Sequence, residues 1–191
     1  MLKDLVKKNR SYRGYDRTKP IPEKELKEFV DLCRYVASSI NRQPLKFHIA
    51  SNEAEVAAIQ QLTGWAKGLP DLNLPYHGME PTSFIVISID KTIDNRDIFD
   101  RDVGACAQTI LLAATEKGYG GCMLGTFRKG ELKRLLGFGE FIEPNLVVAL
   151  GTPKEKVVIT KVGDDRSTDY YRDEEGKTHY VPKRSLKDIL N

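Results

Sequence analysis

A nearly continuous apolar run, SFIVISI at Ser83–Ile89, most constrains how this chain can fold. Its residues are largely β-branched and apolar on both alternating faces, which is typical of a central strand covered on both sides. Leu146–Leu150 is a second run of this kind. Between the two runs, Val103–Lys117 has helical periodicity and many small residues, with Asp102 as its predicted N-cap and Gly118 as its closing residue. The sequence therefore predicts a buried sheet with this helix packed closely within the fold.

The elements predicted around this core alternate irregularly. Helices are expected at residues 2–8, from Pro22 to near Ala37, and at Glu53–Ala66, Glu131–Leu136 and Ser185–Leu190. Strands are expected at Leu45–Ala50 and Val157–Ile159, and a β-hairpin at Tyr170–Arg172 and His179–Val181 with its turn at residues 173–177. Strict βαβ alternation is absent, which favours an α+β fold with one mixed sheet of about four or five strands flanked by helices.

One domain over residues 1–191 accommodates all of these elements. Residues 64–81 are rich in Gly, Pro, Asn and aromatic residues, which predicts an irregular excursion or lid. Within it, Trp65, Tyr76 and His77 form either a substrate clamp or ordinary loop packing. Residues 160–191 are expected to form a C-terminal hairpin and arm.

Composition and charge exclude several classes of function. The net charge of +3 is spread among interleaved acidic and basic residues, which does not favour a nucleic-acid partner. No apolar run is long enough for a membrane span, and the first residues lack a signal peptide's apolar core, so we expect a cytoplasmic protein. Cys33 and Cys106 fall on apolar helix faces, and the three histidines are widely separated, so no metal site is expected.

Two polar clusters follow segments with helical periodicity. Arg10-Ser11-Tyr12-Arg13 combines arginines with a hydroxyl, which suits a phosphate. Residues 38–44 (SSINRQP) form a loop in which Asn41 and Gln43 carry paired donors and acceptors, which suit the edge of a heterocycle. A basic pair, Lys183-Arg184, precedes the last predicted helix, whose N-terminus would attract an anion. Together these residues indicate a phosphorylated heteroaromatic cofactor.

The glycine-rich stretch at residues 118–127 (GYGGCMLGTF) is not a dinucleotide fingerprint. It follows a helix, Met123 occupies the third fingerprint position, and no Gly-Lys-Ser/Thr of a P-loop is present. It indicates either a helix cap followed by a closely packed strand, or a backbone that lies against a flat ligand ring.

With these motifs in this order, the chain resembles the nitroreductase family of FMN-dependent oxidoreductases. The family's basic R-[basic]-S-x-[RK] run corresponds to residues 9–13, where Asn9 replaces the first Arg and so removes one cation. Its S-x-x-N-x-Q-P motif corresponds to residues 38–44, followed here by Leu45 in place of a frequent aromatic residue. Its D-x-G helix and glycine-rich strand correspond to residues 102–125, and its C-terminal basic element to Lys183-Arg184.

The resemblance implies a role for each site residue. Arg10, Ser11 and Arg184, with Lys183, would hold the phosphate and ribityl chain of FMN. Arg13 would lie near the pyrimidine side of the flavin and raise its potential. Ser38, Ser39 and Asn41 would reach the flavin of a partner subunit in an intertwined homodimer, with Gln43 as a positioning residue. The backbone of Leu124, Gly125 and Thr126 would lie beside flavin N5.

The resemblance also implies the chemistry. NAD(P)H would reduce FMN, and an electron-poor acceptor such as a nitroaromatic compound or a quinone would take the electrons at the same face in a ping-pong mechanism, with no side chain acting as acid, base or nucleophile. Two alternatives remain open: reductive dehalogenation or flavin breakdown on the same fold, and a non-catalytic module that binds a polyanion.

Overall fold

The predicted central strand lies inside a four-stranded sheet. The computed structural model, which describes residues 1–173, 175 and 178–191, shows β2 at Ser83–Asp90 with all eight residues buried. The sheet has the strand order β1-β2-β4-β3, where β1 is Leu45–Ala50, β3 is Gly120–Leu124 and β4 is Ile142–Gly151. Every strand pair in it is antiparallel. The α+β class is thus confirmed, whereas the predicted mixed pairing is not found within this sheet.

Helices cover both faces of the sheet. They are α1 Leu2–Lys8, α2 Glu23–Leu32, α3 Glu53–Leu62, α4 Asp100–Glu116 and α5 Lys129–Leu135. Ile85 and Ile87 of β2 share one core cluster with α2 and α4, while Phe84 and Val86 share the other with α3 and α5. Successive side chains of a strand point to opposite faces, so the continuous apolar run supplies both cores at once.

Several helix ends differ from the predicted ones. Helix α2 ends at Leu32 rather than near Ala37, because a 3₁₀ turn at Cys33–Tyr35 and an extended Val36 follow it. Helix α3 ends at Leu62 rather than at Ala66, because Thr63 is extended and forms an isolated β-bridge with Phe127. Apolar periodicity continues through these residues, but their backbone conformation is set by tertiary contacts.

The helix after β2 begins earlier than predicted. Helix α4 starts at Asp100 with Phe99 as its N-cap residue, so the predicted N-cap, Asp102, lies inside the first turn. Asp102 is 5% exposed, and its carboxylate contacts another loop instead of its own helix end. The predicted closing residue is confirmed: Gly118 follows the helix with a φ of +87°, a left-handed conformation that favours glycine.

A second, three-stranded sheet contains the C-terminal part of the chain. Its strands are β5 Lys156–Lys161, β6 Tyr171–Arg172 and β7 Thr178–Lys183. Strand β7 is parallel to β5 and antiparallel to β6, so the predicted hairpin pairing is confirmed. Of its predicted turn, Glu174, Gly176 and Lys177 lie outside the described residues. The predicted last helix is instead a single 3₁₀ turn, Leu186–Asp188, whose apolar neighbours are too exposed to stabilise more turns.

Over the described part of the chain the longest helix is α4, with 17 residues, and none is long and apolar enough to cross a membrane.

Candidate cofactor site

The N-terminal basic loop lies along the glycine-rich strand. Ser11 forms a parallel bridge with Gly121 of β3, and the Tyr12 N–H donates to the Gly121 carbonyl at 3.0 Å. A Cβ at Gly120 would lie 2.4 Å from the Tyr12 ring, so glycine is required for this approach. Two sequence motifs that are more than 100 residues apart are therefore brought together, and the interpretation of the stretch as a cap followed by a closely packed strand is confirmed.

A cleft of about 350 Å³ brings together three of the predicted phosphate-binding residues, Arg10, Ser11 and Lys183. Its other lining residues are Val6, Asn9, Gln108, Leu111 and Met123. Among the described residues that line it, none is acidic. Arg10 Nη2 donates to the Val6 carbonyl at 2.9 Å, while the buried Arg10 Nε has no hydrogen-bond partner in the described structure. Two cations and an unsatisfied buried donor make the cleft suitable for an anion.

Arg184, the fourth predicted phosphate-binding residue, lines a neighbouring cleft of about 720 Å³. Lys183 lines both clefts, so the two are adjacent. Arg184 Nη2 donates to the Asp188 carbonyl, and the Ser185 Oγ and N–H both donate to the Asp188 carboxylate. Asp188 therefore accepts hydrogen bonds from both Arg184 and Ser185 within this chain, and the expected attraction of an anion by this N-terminus stays a prediction.

The amide-rich loop is held by Asp102. Its Oδ2 accepts hydrogen bonds from Ser38 Oγ at 2.7 Å and from the Ser39 N–H at 2.8 Å, and its Oδ1 accepts one from Ser39 Oγ at 2.7 Å. Burial acts to raise the pKa of this carboxyl, but the hydrogen bonds from Ser38 and Ser39 outweigh it and lower the pKa below its usual range. Both hydroxyls thus donate to this carboxylate within the chain, which fixes the loop, and their predicted contact with a partner subunit's flavin stays a prediction.

The same loop carries backbone strain. Ile40, Asn41 and Gln43 have φ values of 48°, 53° and 53°, in the left-handed region that a β-branched residue rarely adopts. Gln43 Nε2 donates to Asn41 Oδ1 at 3.0 Å, and both side chains are exposed. Strain that the surrounding contacts hold in place is concentrated at functional sites, which supports a binding role for these two amides.

The end of β3 presents open backbone. Leu124 is buried, whereas Gly125 and Thr126 are exposed immediately after the strand. A Cβ at Gly125 would meet no described atom within 4 Å, and the Thr126 carbonyl accepts a hydrogen bond from the Gly64 N–H at 2.8 Å. The space in front of Gly125 therefore permits a ligand to approach the backbone closely.

Arg13, in contrast, is only 9% exposed and is not among the residues that line the cleft of Arg10. Its Nη1 donates to His179 Nε2 over 3.0 Å, and its guanidinium lies 4.8 Å from the centre of the Tyr170 ring. Its backbone N–H donates to the carboxylate of Glu155. Within this chain Arg13 therefore joins the N-terminal loop to the C-terminal sheet, and its predicted place beside the flavin ring stays a prediction.

Sequence reasoning missed this buried cluster. The carboxylate of Glu155 also pairs with Arg172, and their side chains are 2% and 4% exposed. Burial, followed by the charges of Arg13 and Arg172, lowers the pKa of His179 to about 4. The sequence signal was weak, because a histidine on a short strand and a glutamate just before another strand resemble surface residues until the sheet is assembled.

The three residues of the suggested clamp have different surroundings. Trp65 packs against the core and donates from Nε1 to Thr63 Oγ1 at 3.1 Å. The ring of Tyr76 lies 5.7 Å from the Arg172 guanidinium, and the side chain of His77 is fully exposed. Within this chain, Trp65 and Tyr76 make the contacts expected of ordinary loop packing. No group of three or more His, Cys, Asp or Glu residues is placed to hold a metal ion in the part of the chain that is described.

A sequence model of the Nitroreductase family matches residues 6–152. From Bacillus subtilis (strain 168), the protein named "Putative NAD(P)H nitroreductase YodC" is 24% identical over 176 residues, which cover 78% of this chain and 87% of that protein.

Two solved structures show the same fold. A nitroreductase family protein from Clostridium difficile 630 has a TM-score of 0.70 at 16% identity and covers 98% of this chain and 95% of that chain. An FMN-dependent nitroreductase from Clostridium difficile R20291 has a TM-score of 0.68 at 16% identity and covers 98% of this chain and 96% of that chain.

Proposed function

Because the chain belongs to the nitroreductase family and is therefore an oxidoreductase, we propose that it uses FMN to pass electrons from NAD(P)H to an electron-poor acceptor. Nitroaromatic compounds and quinones are the acceptor classes that we expect. The observation that carries the proposal is the cleft in which Arg10, Ser11 and Lys183 converge without an acidic neighbour among the described lining residues.

The residues of this cleft fit the phosphate end of FMN. The buried Arg10 Nε lacks a hydrogen-bond partner in the described structure, and a phosphate oxygen would satisfy it. Ser11 adds a hydroxyl, and Lys183 adds a flexible cation from the C-terminal part of the chain. Arg184, in the adjoining cleft, would extend the positive potential toward the same phosphate. Asn9 lines the cleft where the family signature has an arginine, which leaves room but adds no charge.

The isoalloxazine ring would lie where β3 ends. When bound, FMN would supply the redox chemistry at N5, accepting a hydride from NAD(P)H and returning electrons to the second substrate at the same face in a ping-pong mechanism. The chain's own contribution is to bind and orient: Gly125 and Thr126 are exposed, and the open space at Gly125 permits a flat ring to approach the backbone closely. The buried Leu124 anchors this backbone in the sheet.

A partner subunit would complete the site in a homodimer. Within one chain, Gln43 lines a cavity of about 160 Å³ that is separate from the cleft of Arg10. We propose that Asn41, in the loop held by Ser38 and Ser39, reaches the flavin bound to the other subunit. Strain in this loop supports the proposal, because it fixes two exposed amides in one orientation before any ligand binds.

Exposed apolar surface also supports a homodimer. Helix α1 carries no buried residue within a single chain, and Leu2 in it is 70% exposed. At the other end of the chain, Leu186, Ile189 and Leu190 are each more than 60% exposed. Large apolar side chains clustered at both termini are typical of surfaces that a second subunit covers.

Titration of the purified protein with FMN tests the proposal. We expect the flavin absorbance to shift on binding, and NADH or NADPH added without oxygen to bleach it until an acceptor restores the colour. Arg10→Ala should weaken FMN binding about tenfold or more, because each charge-assisted hydrogen bond contributes about 1.5–3 kcal/mol. Lys8→Ala, a nearby exposed cation outside the cleft, should bind FMN normally. Protein that cannot be reconstituted with FMN contradicts the proposal.

A panel of acceptors distinguishes the proposed activity from the alternatives on the same fold. Turnover of nitroaromatic compounds and quinones, with no halide released from halogenated phenols and no loss of the flavin itself, supports the proposal. Halide release or flavin consumption would instead assign the chain to the alternative chemistry. Steeply salt-dependent binding of a polyanion without any turnover would favour the non-catalytic module.

A further inference from the structure

Cys33 and Cys106 have no part in the proposed electron transfer, and they are in contact with each other in the core. Cys33 lies in the 3₁₀ turn after α2 and Cys106 in α4, and both are free thiols, 8% and 4% exposed. Cys33 Sγ lies 3.7 Å from the Cys106 carbonyl oxygen. Both residues also belong to the same buried apolar cluster.

A cavity of about 160 Å³ lies beside both cysteines and is large enough for a small oxidant. Cys33 and Cys106 line it together with Ser38, Gln43 and Asp102, at the base of the amide-rich loop. A water molecule needs only about 10–15 Å³ of such space, so a molecule the size of hydrogen peroxide can enter. The third cysteine, Cys122, is buried in β3 and is not among the residues that line this cavity.

The two thiols also differ in acidity. Interaction with Cys33 lowers the pKa of Cys106, whereas the interaction with Cys106 and then burial raise the pKa of Cys33. A thiol with a lowered pKa is the better nucleophile toward a peroxide, so Cys106 is the first thiol to react and Cys33 supplies the second sulfur.

We propose that Cys33 and Cys106 form a reversible peroxide-oxidation site that closes to a disulfide. The Cys106 thiolate attacks one oxygen of hydrogen peroxide, the O–O bond breaks, and the departing hydroxide takes up a proton as water. The Cys33 sulfur then attacks the sulfur of the Cys106 sulfenic acid. The S–O bond breaks and the second hydroxide leaves with the Cys33 proton as water. The two thiols lose two electrons, the peroxide gains them, and a thiol reductant reverses the change.

Peptide mapping of the folded, full-length chain tests the proposal without reference to FMN or to turnover. The reduced protein is treated with hydrogen peroxide, unfolded in the presence of a thiol-alkylating reagent and digested without reductant. We expect a linked peptide that contains Cys33 and Cys106 and lacks two hydrogens, while Cys122 is alkylated. Treatment with dithiothreitol before alkylation should return both cysteines to the alkylated form.

Single substitutions sharpen the test. Cys122→Ser should form the Cys33–Cys106 link to the same extent as the unsubstituted chain, whereas Cys33→Ser should leave Cys106 as a sulfenic acid that a dimedone reagent traps. If a serine variant fails to fold, the peptide mapping of the unsubstituted chain alone tests the proposal. Recovery of both cysteines alkylated after peroxide treatment, or of a link that includes Cys122, would overturn the proposal.

Discussion

At the scale of single residues, Asp102 should have the largest effect on the amide-rich loop. Asp102→Asn keeps the shape but removes the charge that accepts three hydrogen bonds from Ser38 and Ser39. We expect the free energy of unfolding to fall by about 2 kcal/mol or more, and FMN binding to weaken with it. Urea denaturation and FMN titration measure the two effects. Asp100→Asn, which affects one exposed contact with Asn145, is the matched control, and an equal loss there would contradict this role.

His179 should make stability depend on pH. Burial first, and then Arg13 and Arg172, lower its pKa from 6.5 to about 4 in the folded protein. Between these values the unfolded chain binds more protons than the folded one, so stability is lost as pH falls from 6.5 toward 4. His179→Gln should flatten this decline when urea midpoints are compared at neutral and mildly acidic pH. The exposed His77→Gln should leave it unchanged, and an unaltered decline in His179→Gln would refute the assignment.

Residue types in order along the sequence were sufficient to find the cofactor motifs, but not the contacts of each member. Arg10, Ser11 and Lys183 were grouped by chemistry, and the structure brings them to one cleft. Asp102 was predicted as a helix cap, because its partner loop lies more than 60 residues earlier and leaves no local signal. The contacts of Arg13 were not predicted for the same reason, since its partners Tyr170 and His179 come from the C-terminal part of the chain.

At the scale of elements, the pairing of β3 with β4 depends on glycine. A Cβ at Gly121 would lie 2.4 Å from the Ala149 carbonyl oxygen and 2.6 Å from the Leu111 side chain. Gly121→Ala should therefore lower the free energy of unfolding by about 1–3 kcal/mol, as overpacked sites do. Gly130→Ala in α5 meets only ordinary contacts and should be neutral or stabilising by up to about 1 kcal/mol. Thermal denaturation compares the two, and a Gly121→Ala variant as stable as the unsubstituted chain would contradict the packing argument.

Element identities were predictable where hydrophobic periodicity is strong. Strands β1, β2 and β4 and helices α1 and α4 follow directly from their patterns. The ends of α2 and α3 were not predictable, because Val36 and Thr63 leave the helix to make tertiary contacts that periodicity does not encode. The prediction of a C-terminal helix was wrong because tertiary contacts are lacking there: little of the described chain packs against the 3₁₀ turn.

At the scale of the whole molecule, the C-terminal apolar residues should control assembly. We expect the chain to sediment as a homodimer, and the combined change Leu186→Ser, Ile189→Ser and Leu190→Ser to raise the dimer dissociation constant at least about tenfold. Burial of each large apolar side chain is worth about 1.5–3 kcal/mol. Lys187→Ser, within the same turn, is the control. An unsubstituted chain that sediments as a monomer, or a triple variant with unchanged assembly, would contradict the proposed dimer.

The architecture as a whole was more predictable than the site. Two continuous apolar runs and one helix rich in small residues are sufficient to predict a sheet that is buried on both faces, and the structure confirms this prediction. The parts of the proposed site lie in separate cavities of one chain, and the suggestion that a second copy joins them came from the similarity of the motifs, because residue chemistry along the sequence does not indicate an assembly.

The contacts of residues 64–81 also determine how this segment can move. Tyr170 Oη accepts a hydrogen bond from the Gly68 N–H at 3.1 Å, and the Arg172 guanidinium faces the Tyr76 ring. A displacement of this segment as a whole must therefore break contacts with Tyr170 and with Arg172 of β6. In hydrogen–deuterium exchange, the amides of the two segments should become labelled together as one opening unit, ahead of the amides of β2. The rate at which the space beside residues 64–81 becomes accessible would then equal the rate at which the C-terminal sheet opens.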